Sequence, residues 1–224
     1  MNTTNLSALH AVIETSFGKD ALTSLKEDRN CNKYRRKQII YSEGNHPNRL
    51  YYIVKGKVKV FKTNDDGKEL IVDLLSEGDF LGHIALLEGT IYKDTAEALE
   101  ETELAVIPKE DFDELIHKNP EVVKKLVQLL AKNVSEKESQ LLGLAYNSLR
   151  RKVADALLTL YRKYHGKEES YAIDISRENL ASVAGTATES LIRTLSDFKS
   201  EKLIDIQGGR IVILNVQKLE KMLG

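Results

Sequence analysis

The spacing of apolar residues changes once along the chain, near Pro108, and this change limits the folds that the sequence can adopt. Before it, glycines separate short β-rich runs, which predicts an antiparallel barrel or double sheet. After it, apolar residues recur every three or four positions, which predicts helices. An α+β fold is therefore expected. The predicted strands are Gln38–Tyr41, Leu50–Val54, Lys57–Lys62, Glu69–Leu75 and Leu104–Ile107.

A long helix is predicted to start at Asn119-Pro120, because proline is favoured in the first turn of a helix. Its apolar residues alternate at four- and three-residue spacing when Lys137 is included, which gives a heptad seam interrupted by one lysine. The seam predicts pairing of two copies of the helix. The alternative is a helix that lies on its own barrel, which needs only a broad apolar stripe. The predicted dimer-interface residues are Val123, Val127, Leu130, Val134, Leu141 and Leu144.

The remaining segments outside the C-terminal motif are also predicted to be mostly helical. Residues 1–30 have helical spacing and form a lead-in without chemistry of its own. Leu149–Tyr164 forms a second helix with one apolar face. Gly143 and Asn147-Ser148 are expected to provide a hinge or cap between the two long helices. His165–Ser170 is a polar loop.

The segment 176–199 contains the most specific motif of the chain. A short helix is predicted to end at Gly185, and a second helix to begin at Thr186. The spacing of Ala181, Gly185 and Leu191 is typical of a helix-turn-helix. The small alanine allows the helices to approach, the glycine permits the turn, and the leucine fixes the second helix on the first.

A predicted β-hairpin follows this motif and completes a winged helix. Its strands are Leu203–Ile206 and Arg210–Leu214, and Gly208-Gly209 forms the turn. A winged helix that binds DNA must present side chains that reach base edges. The exposed face of its second helix therefore has to supply them.

Glu189 and Arg193 are four residues apart and are neighbours on one face of that helix. Arginine donates bidentately to guanine, and glutamate accepts from cytosine. Two alternatives compete with base contact: Glu189 completes a capping box with Thr186, or the pair is an ordinary surface ion pair. The predicted base-contacting residues are Thr188, Glu189, Ile192 and Arg193. The predicted phosphate-contacting residues are Ser176, which also caps the first helix, Ser190 and Lys199.

The charge of the chain is divided unequally between its two ends. Residues 150–224 contain 13 basic and 10 acidic residues, a net charge of +3, whereas residues 1–149 contain 20 and 24, a net charge of −4. The whole-chain value of −1 hides this difference. A positive excess at the end that contains the helix-turn-helix agrees with contact to phosphates there.

Composition excludes several classes of protein. With Cys31 as its single cysteine, the chain forms no internal disulfide and no cysteine-cluster zinc or iron–sulfur site of its own, and a reducing cytoplasm is the expected compartment. No apolar run predicts a signal peptide or a membrane span. The histidines have no metal-ligand spacing, and no catalytic constellation is present, so neither a metal site nor an enzyme is predicted, and no particular cofactor is indicated.

From about Gln38 to the C-terminus, the chain resembles the Crp/Fnr (catabolite activator / fumarate–nitrate regulator) family of bacterial transcription regulators. The resemblance lies in Leu50–Val58, Gly78–Gly82, Asn119-Pro120 and Glu189–Arg193. It implies a β-roll of the cyclic-nucleotide-binding type, a central dimerisation helix and a winged helix that binds a two-fold symmetric operator with a TGA-like half-site core. RNA polymerase is an expected partner. The predicted domains are an effector-sensing domain, 1–118, the central helix, 119–146, and a DNA-binding domain, 147–224.

The effector site departs from the family pattern. Members that bind cyclic AMP hold its ribose and phosphate with Gly-Glu-Leu and Arg-Ser, and its adenine with Thr-Ser on the long helix. The matching positions here are Gly82-His83-Ile84, Lys93-Asp94 and Lys137-Glu138. The ribose carboxylate is lost, lysine replaces the bidentate arginine, and a carboxylate is added beside the phosphate. Cyclic AMP is therefore not expected to bind in the usual way. The predicted effector-pocket residues are Gly82, His83, Lys93, Asp94 and Lys137.

His83 has two interpretations. The carbon-monoxide-sensing branch of the family places a haem-ligating histidine near this position, and the other interpretation is a partly exposed histidine in a disused pocket. The sequence as a whole predicts a homodimeric DNA-binding transcription regulator with a small-molecule effector domain. The rival hypothesis is a regulatory module that binds another small molecule, or haem, in a signalling complex and uses its winged helix for protein contacts.

Overall fold

The computed structural model describes residues 31–164 and 172–223, so the predicted lead-in and the predicted loop His165–Ser170 lie outside the described residues. The chain forms two compact units, which are divided in sequence between Val134 and Ser135. The predicted domain limits, which set the central helix apart from both neighbours, stay a prediction.

The first unit contains two four-stranded antiparallel sheets, with strand orders β1-β8-β3-β6 and β2-β7-β4-β5. Both sheets contribute to one buried cluster: Tyr51 and Ile53 from the first sheet pack with Val58 and Val60 from the second. The predicted double sheet is therefore confirmed. The strands are β1 Cys31–Tyr34, β2 Ile39–Tyr41, β3 Arg49–Lys55, β4 Lys57–Thr63, β5 Glu69–Ser76, β6 Phe80–Leu81, β7 Thr95–Ala98 and β8 Thr102–Pro108.

Strands β1, β6 and β7 are absent from the sequence-based prediction. They have two to four residues each, and their sequences lack a β-branched run. Each is held by pairing with a longer neighbour, as β7 is along β4 from Val58 to Phe61. Strands of this length depend on such neighbours, so local sequence gives little signal for them.

Three helices follow or interrupt these strands: α1 His83–Glu88, α2 Lys109–Lys118 and α3 Pro120–Tyr146. Leu126 of α3 is buried in a second cluster, together with Phe112 of α2 and Leu50 of β3. One face of α3 is thereby fixed on the sheets. The helix continues through Gly143, so the interruption predicted between the long helices falls at Asn147-Ser148 alone.

The second unit has the order of a winged helix-turn-helix. Its core consists of the apolar faces of α4 and α6, including Leu157 and Leu160 with Leu191, Leu195 and Phe198. The predicted wing is confirmed as the antiparallel pair β10-β11, which β9 extends to three strands. The elements are α4 Leu149–Tyr164, β9 Ala172–Ile173, α5 Arg177–Ala184, α6 Thr188–Ser200, β10 Ile204–Gln207, β11 Arg210–Ile213 and α7 Val216–Glu220.

Candidate nucleic-acid interface and sensor site

The turn between α5 and α6 is formed by backbone hydrogen bonds. Gly185 has φ 59°, and its N–H donates to the Ser182 carbonyl at 3.3 Å. The N–H of Thr186 donates to the Ala181 carbonyl at 3.0 Å. This pattern is a Schellman-type helix end, in which a glycine with positive φ satisfies the last carbonyls. Thr186 therefore belongs to the end of α5, and the prediction that α6 begins at Thr186 is wrong.

Helix α6 begins at Thr188 and has Ala187 at its N-cap, without a side-chain cap. Because Thr186 is not the N-cap, the capping-box alternative for Glu189 is also wrong. Glu189 is exposed in the first turn of α6, where the helix dipole favours a carboxylate. Its side chain is therefore not used to cap its own helix.

The inner face of α6 is buried on α4 and α5, so its outer face is fixed in orientation. Leu191, Leu195 and Phe198 are each almost completely buried. One turn apart on the outer face, Glu189 and Arg193 are exposed, and no ion pair joins them. Within residues 31–164 and 172–223, neither side chain has a hydrogen-bond or ion-pair partner, which leaves the ion-pair alternative without support. Of the other two predicted base-contacting residues, Ile192 is exposed and Thr188 is half-buried.

The three predicted phosphate-contacting residues have different surroundings. The Oγ of Ser176 accepts from the Asn179 N–H at 3.1 Å, which confirms its predicted cap of α5. Ser190 is half-buried in the first turn of α6, beside the base-contacting candidates. The Lys199 ammonium lies 3.2 Å from Asp205 Oδ1 and donates to the Ile206 carbonyl at 3.5 Å.

Charged side chains that sequence reasoning missed hold the wing in place. Arg177 of α5 donates to the Gly209 carbonyl at the tip of the hairpin, at 2.9 Å. Arg210 pairs with Asp174 at 3.2 Å, so the strand β11 is tied to the segment before α5. Hydrogen bonds from Gln207, the Ile206 N–H and Lys199 lower the pKa of Asp205. The Arg177–Gly209 and Arg210–Asp174 contacts join residues 32 and 36 positions apart, which no local pattern identifies.

Two of the predicted sensor residues, Gly82 and His83, lie at the start of α1. Gly82 has φ 88° and precedes His83, the first residue of the helix. His83 is half-buried as a residue, but both of its ring nitrogens are buried and have no hydrogen-bond partner among the described residues. Burial lowers the pKa of His83, and the carboxylate of Asp73 acts weakly in the opposite direction. The imidazole is therefore neutral at pH 7.

Two further sensor residues follow α1, and their side chains are already engaged. The Lys93 ammonium is exposed and pairs with Glu88 at 2.6 Å. The Asp94 carboxylate is half-buried and accepts a hydrogen bond from the Tyr41 hydroxyl at 3.0 Å. Burial raises the pKa of Asp94 despite that hydrogen bond. Lys137 belongs to the second unit, where its ammonium donates to Gln140 at 3.4 Å.

Sequence reasoning did not identify the tyrosines of this site. The rings of Tyr41 and Tyr92 are stacked, with centroids 3.9 Å apart and an interplanar angle of 11°. Tyr51 lies next to Tyr41, with ring centroids 6.3 Å apart. Burial raises the pKa of all three phenols, so they are neutral hydrogen-bonding groups. Aromatic residues in strands are common in cores, and the sequence contained no signal that set these apart.

Lowering the pH is expected to destabilise the first unit through His83. Because its pKa is lowered from 6.5, the unfolded chain takes up this proton at a higher pH than the folded chain does. Stability is therefore lost from about pH 6.5 down to the folded-state pKa. His83→Leu is expected to remove this component of the pH dependence, which urea unfolding of both proteins as a function of pH measures. The raised pKa of Asp94 acts in the opposite direction in both proteins, so their difference isolates His83. Equal pH dependence would contradict the expectation.

The predicted dimer residues of α3 are mostly exposed within the described chain. Val123, Val127, Val134 and Leu141 are exposed, whereas Leu130 and Leu144 are half-buried. Leu126 is the side chain that faces the core of the first unit. The helix thus lies on its own sheets through one face, as the alternative required, and has a second apolar face left uncovered.

Within residues 31–164 and 172–223, no group of three or more histidine, cysteine, aspartate or glutamate side chains is arranged to hold a metal ion. In the same ranges, no helix has the length and apolar composition needed to cross a membrane.

Comparison with known proteins gives matches in both units. A family model described as a cyclic nucleotide-binding domain matches residues 31–119, and one described as a Crp-like helix-turn-helix domain matches residues 151–222. The cyclic AMP receptor protein of Thermus thermophilus is 31% identical over 189 residues, which cover 84% of this chain and 86% of that protein.

Solved structures show a similar fold. FixK2 from Bradyrhizobium japonicum has a TM-score of 0.78 at 24% identity, with 87% of this chain and 96% of that chain covered. A transcriptional regulator of the CRP family from Thermus thermophilus has a TM-score of 0.72 at 26% identity, with 86% and 96% covered. At 24% identity, the likeness to FixK2 concerns the fold alone.

Proposed function

Because this chain belongs to the Crp/Fnr family of DNA-binding transcription regulators with an effector domain, we propose that it binds a two-fold symmetric operator as a homodimer. In this proposal, the exposed apolar face of α3 forms the contact between the two copies. Each copy places one α6 in the major groove, and the half-sites lie about one helical turn apart, roughly 10 base pairs. RNA polymerase is the proposed protein partner of the bound dimer.

The observation that supports base contact is the pair of free side chains on the outer face of α6. Arg193 and Glu189 are exposed near the N-terminal end of this helix, which is the end that a helix-turn-helix presents to the groove. Neither is used in capping or in an ion pair among the described residues. We propose that Arg193 donates to guanine and Glu189 accepts from cytosine, with Thr188 and Ile192 beside them.

Phosphate contacts are proposed for Ser176, Ser190 and Lys199. The Ser176 hydroxyl accepts from the Asn179 N–H but retains its own proton for a phosphate oxygen. Lys199 is held near the wing by Asp205, and its ammonium has three protons, so it can keep that contact while it donates to DNA. Such contacts position the protein without selecting a sequence.

Arg193→Ala is expected to reduce the preference for the operator over random DNA by about 1–3 kcal/mol, the contribution of one bidentate contact. The operator is first selected from a random duplex pool with the wild-type protein. Binding of the selected and a scrambled duplex is then measured by fluorescence anisotropy across a salt series. The loss should occur mainly on the selected duplex.

Arg193→Lys is the matched control because it keeps the positive charge and removes the planar fork. It should retain the salt dependence of the wild type while losing most of the discrimination. Unchanged discrimination in both variants would contradict the base-contact assignment. A wild-type protein without any affinity for DNA at low salt would instead support the regulatory module in a signalling complex.

The sensor site is proposed to discriminate against cyclic AMP in its usual binding mode. A relative bears the name cyclic AMP receptor protein. In this chain, however, the Asp94 carboxylate lies at the position that matches the phosphate contact, and the Lys93 ammonium pairs with Glu88. A phosphate would meet this carboxylate, and at the position that matches the bidentate arginine it would meet Lys93. Calorimetric titration with cyclic AMP tests this, and a tight one-to-one isotherm would contradict it.

A further inference from the structure

The sensor site of the first unit is filled by the chain's own side chains. Tyr92, which is 4% exposed, lies in the connection from α1 to β7 and stacks face to face on Tyr41 of β2. Its hydroxyl lies close to Gly82, because a Cβ built there would be 3.3 Å from it. The ring therefore spans from β2 to the start of α1, which is where the predicted effector residues begin.

Backbone hydrogen bonds fix the segment that contains Tyr92. The Tyr92 N–H donates to the Asn45 carbonyl at 2.9 Å, and the Gly44 N–H donates to the Tyr92 carbonyl at 2.9 Å. The Glu43 N–H donates to the Thr95 hydroxyl at 3.1 Å. The connection from α1 to β7 is thus attached to the loop after β2, and its Tyr92 ring stacks on Tyr41 at the end of β2.

Asp94 supplies a carboxylate inside this arrangement. It accepts from the Tyr41 hydroxyl, so the ring stack and the carboxylate form one connected group. The ammonium of Lys62 attracts this carboxylate and donates to the Lys93 carbonyl at 2.5 Å. The ammonium groups of Lys62 and Lys93 are both engaged with the protein itself, because Lys62 donates to the Lys93 carbonyl and Lys93 pairs with Glu88. An added phosphate would have to displace these contacts.

We infer that Tyr92, Tyr41 and Asp94 are a built-in replacement for an external effector, which holds the connection from α1 to β7 in its DNA-binding arrangement without a small molecule. This inference rests on the proposed function, since its readout is operator binding. If it holds, this chain is regulated by conditions that disrupt the stacking of Tyr92 on Tyr41, and not by the binding of a cyclic nucleotide. Near the start of α1, both ring nitrogens of His83 are buried and have no hydrogen-bond partner among the described residues.

Removal of the Tyr92 ring is expected to weaken operator binding, and a small phenol is expected to restore it. Tyr92→Ala should bind the selected operator about tenfold or more weakly, because the competent arrangement becomes a minor population. Addition of p-cresol, which is the tyrosine side chain as a free molecule, should fill the cavity and restore affinity. Phe61→Ala is the matched control: it removes a ring of similar burial, 6% exposed, from the same unit. Its operator affinity should change little and should not respond to p-cresol.

The wild-type protein, unfolded, dialysed and refolded to remove bound molecules, should bind its operator without additions. Its affinity should not change with cyclic AMP or cyclic GMP. Operator binding that appears only after one of these nucleotides is added would overturn the inference and leave the proposed function intact. A small molecule or haem retained in native mass spectrometry of protein from its source, and required for operator binding, would overturn it as well. Absence of DNA binding under all conditions would contradict the proposed function itself.

Discussion

Replacing Val127 and Val134 together by lysine is expected to give a monomeric protein whose affinity for the operator is lower by about 10²–10⁴-fold. The two side chains are 60% and 59% exposed on α3, and neither belongs to a buried cluster. They lie seven residues apart, so they share one face of the helix. Two lysines there would place four positive charges in the contact between two copies, which removes apolar burial and adds repulsion.

The loss of affinity follows from the two half-sites. A dimer that has bound one half-site presents its second α6 to the other at high effective concentration, and a monomer does not. Sedimentation velocity measures the oligomeric state, and anisotropy with the selected operator measures affinity. Because both valines are exposed in the described chain, the stability of each unit should change little.

Ile39→Lys is the control for this experiment. Ile39 is an exposed apolar residue of β2, 42% exposed, and lies outside the apolar face of α3. Its replacement should leave both the oligomeric state and operator affinity unchanged. A double lysine variant that still sediments as a dimer would show that another surface joins the copies.

Gly56→Ala is expected to destabilise the first unit by several kcal/mol. Gly56 connects β3 to β4 with φ +101°, and a Cβ there would lie 2.5 Å from Thr102 Oγ1 and 2.7 Å from the Glu101 carbonyl oxygen. Thr102 is buried and is fixed by hydrogen bonds to the Lys57 and Glu100 carbonyls. Left-handed backbone costs about 1–2 kcal/mol, and an overpacked contact adds about 1–3 kcal/mol.

Gly67→Ala separates the two contributions. Gly67 has φ +76° in the turn between β4 and β5, but a Cβ there would meet nothing within 4 Å. Its replacement should cost only the backbone part, about 1–2 kcal/mol. Urea unfolding followed by circular dichroism at one protein concentration measures both variants. Equal destabilisation in the two variants would show that contact with Thr102 contributes nothing.

The sequence predicted most of the fold wherever local periodicity was strong. The heptad spacing and Pro120 predicted α3, and the spacing of Ala181, Gly185 and Leu191 predicted the helix-turn-helix. The short strand β6 was not predicted, because a strand of two residues is too short to show an alternation of apolar and polar residues. The start of α6 was predicted two residues too early. The Thr186 N–H donates to the Ala181 carbonyl, and this hydrogen bond depends on the backbone conformation of the turn rather than on residue type.

In the candidate sites, the sequence predicted which residues are exposed on α6 but not which partners the other site residues contact. Arg193 and Glu189 follow from their position on a helix face, and the structure leaves both exposed. The partners of Lys199 and Asp94 did not follow from the sequence, since Asp205 and Tyr41 reach them only after the hairpin and the sheets have formed. The stack of Tyr92 on Tyr41 has the same origin.

The sequence by itself determined the order of sheets, long helix and winged helix, and it determined which face of α6 is polar. These properties depend on residues within a few positions of one another, where spacing and backbone preference act directly. Tertiary structure alone decided that the Asp94 carboxylate is engaged by Tyr41 and that Tyr92 fills the space beside Gly82. The Tyr41–Asp94 contact joins residues 53 positions apart, because the strand pairing that brings β2 to β7 creates it. Tyr92 and Gly82 are ten positions apart, and the path of the chain through α1 brings them together.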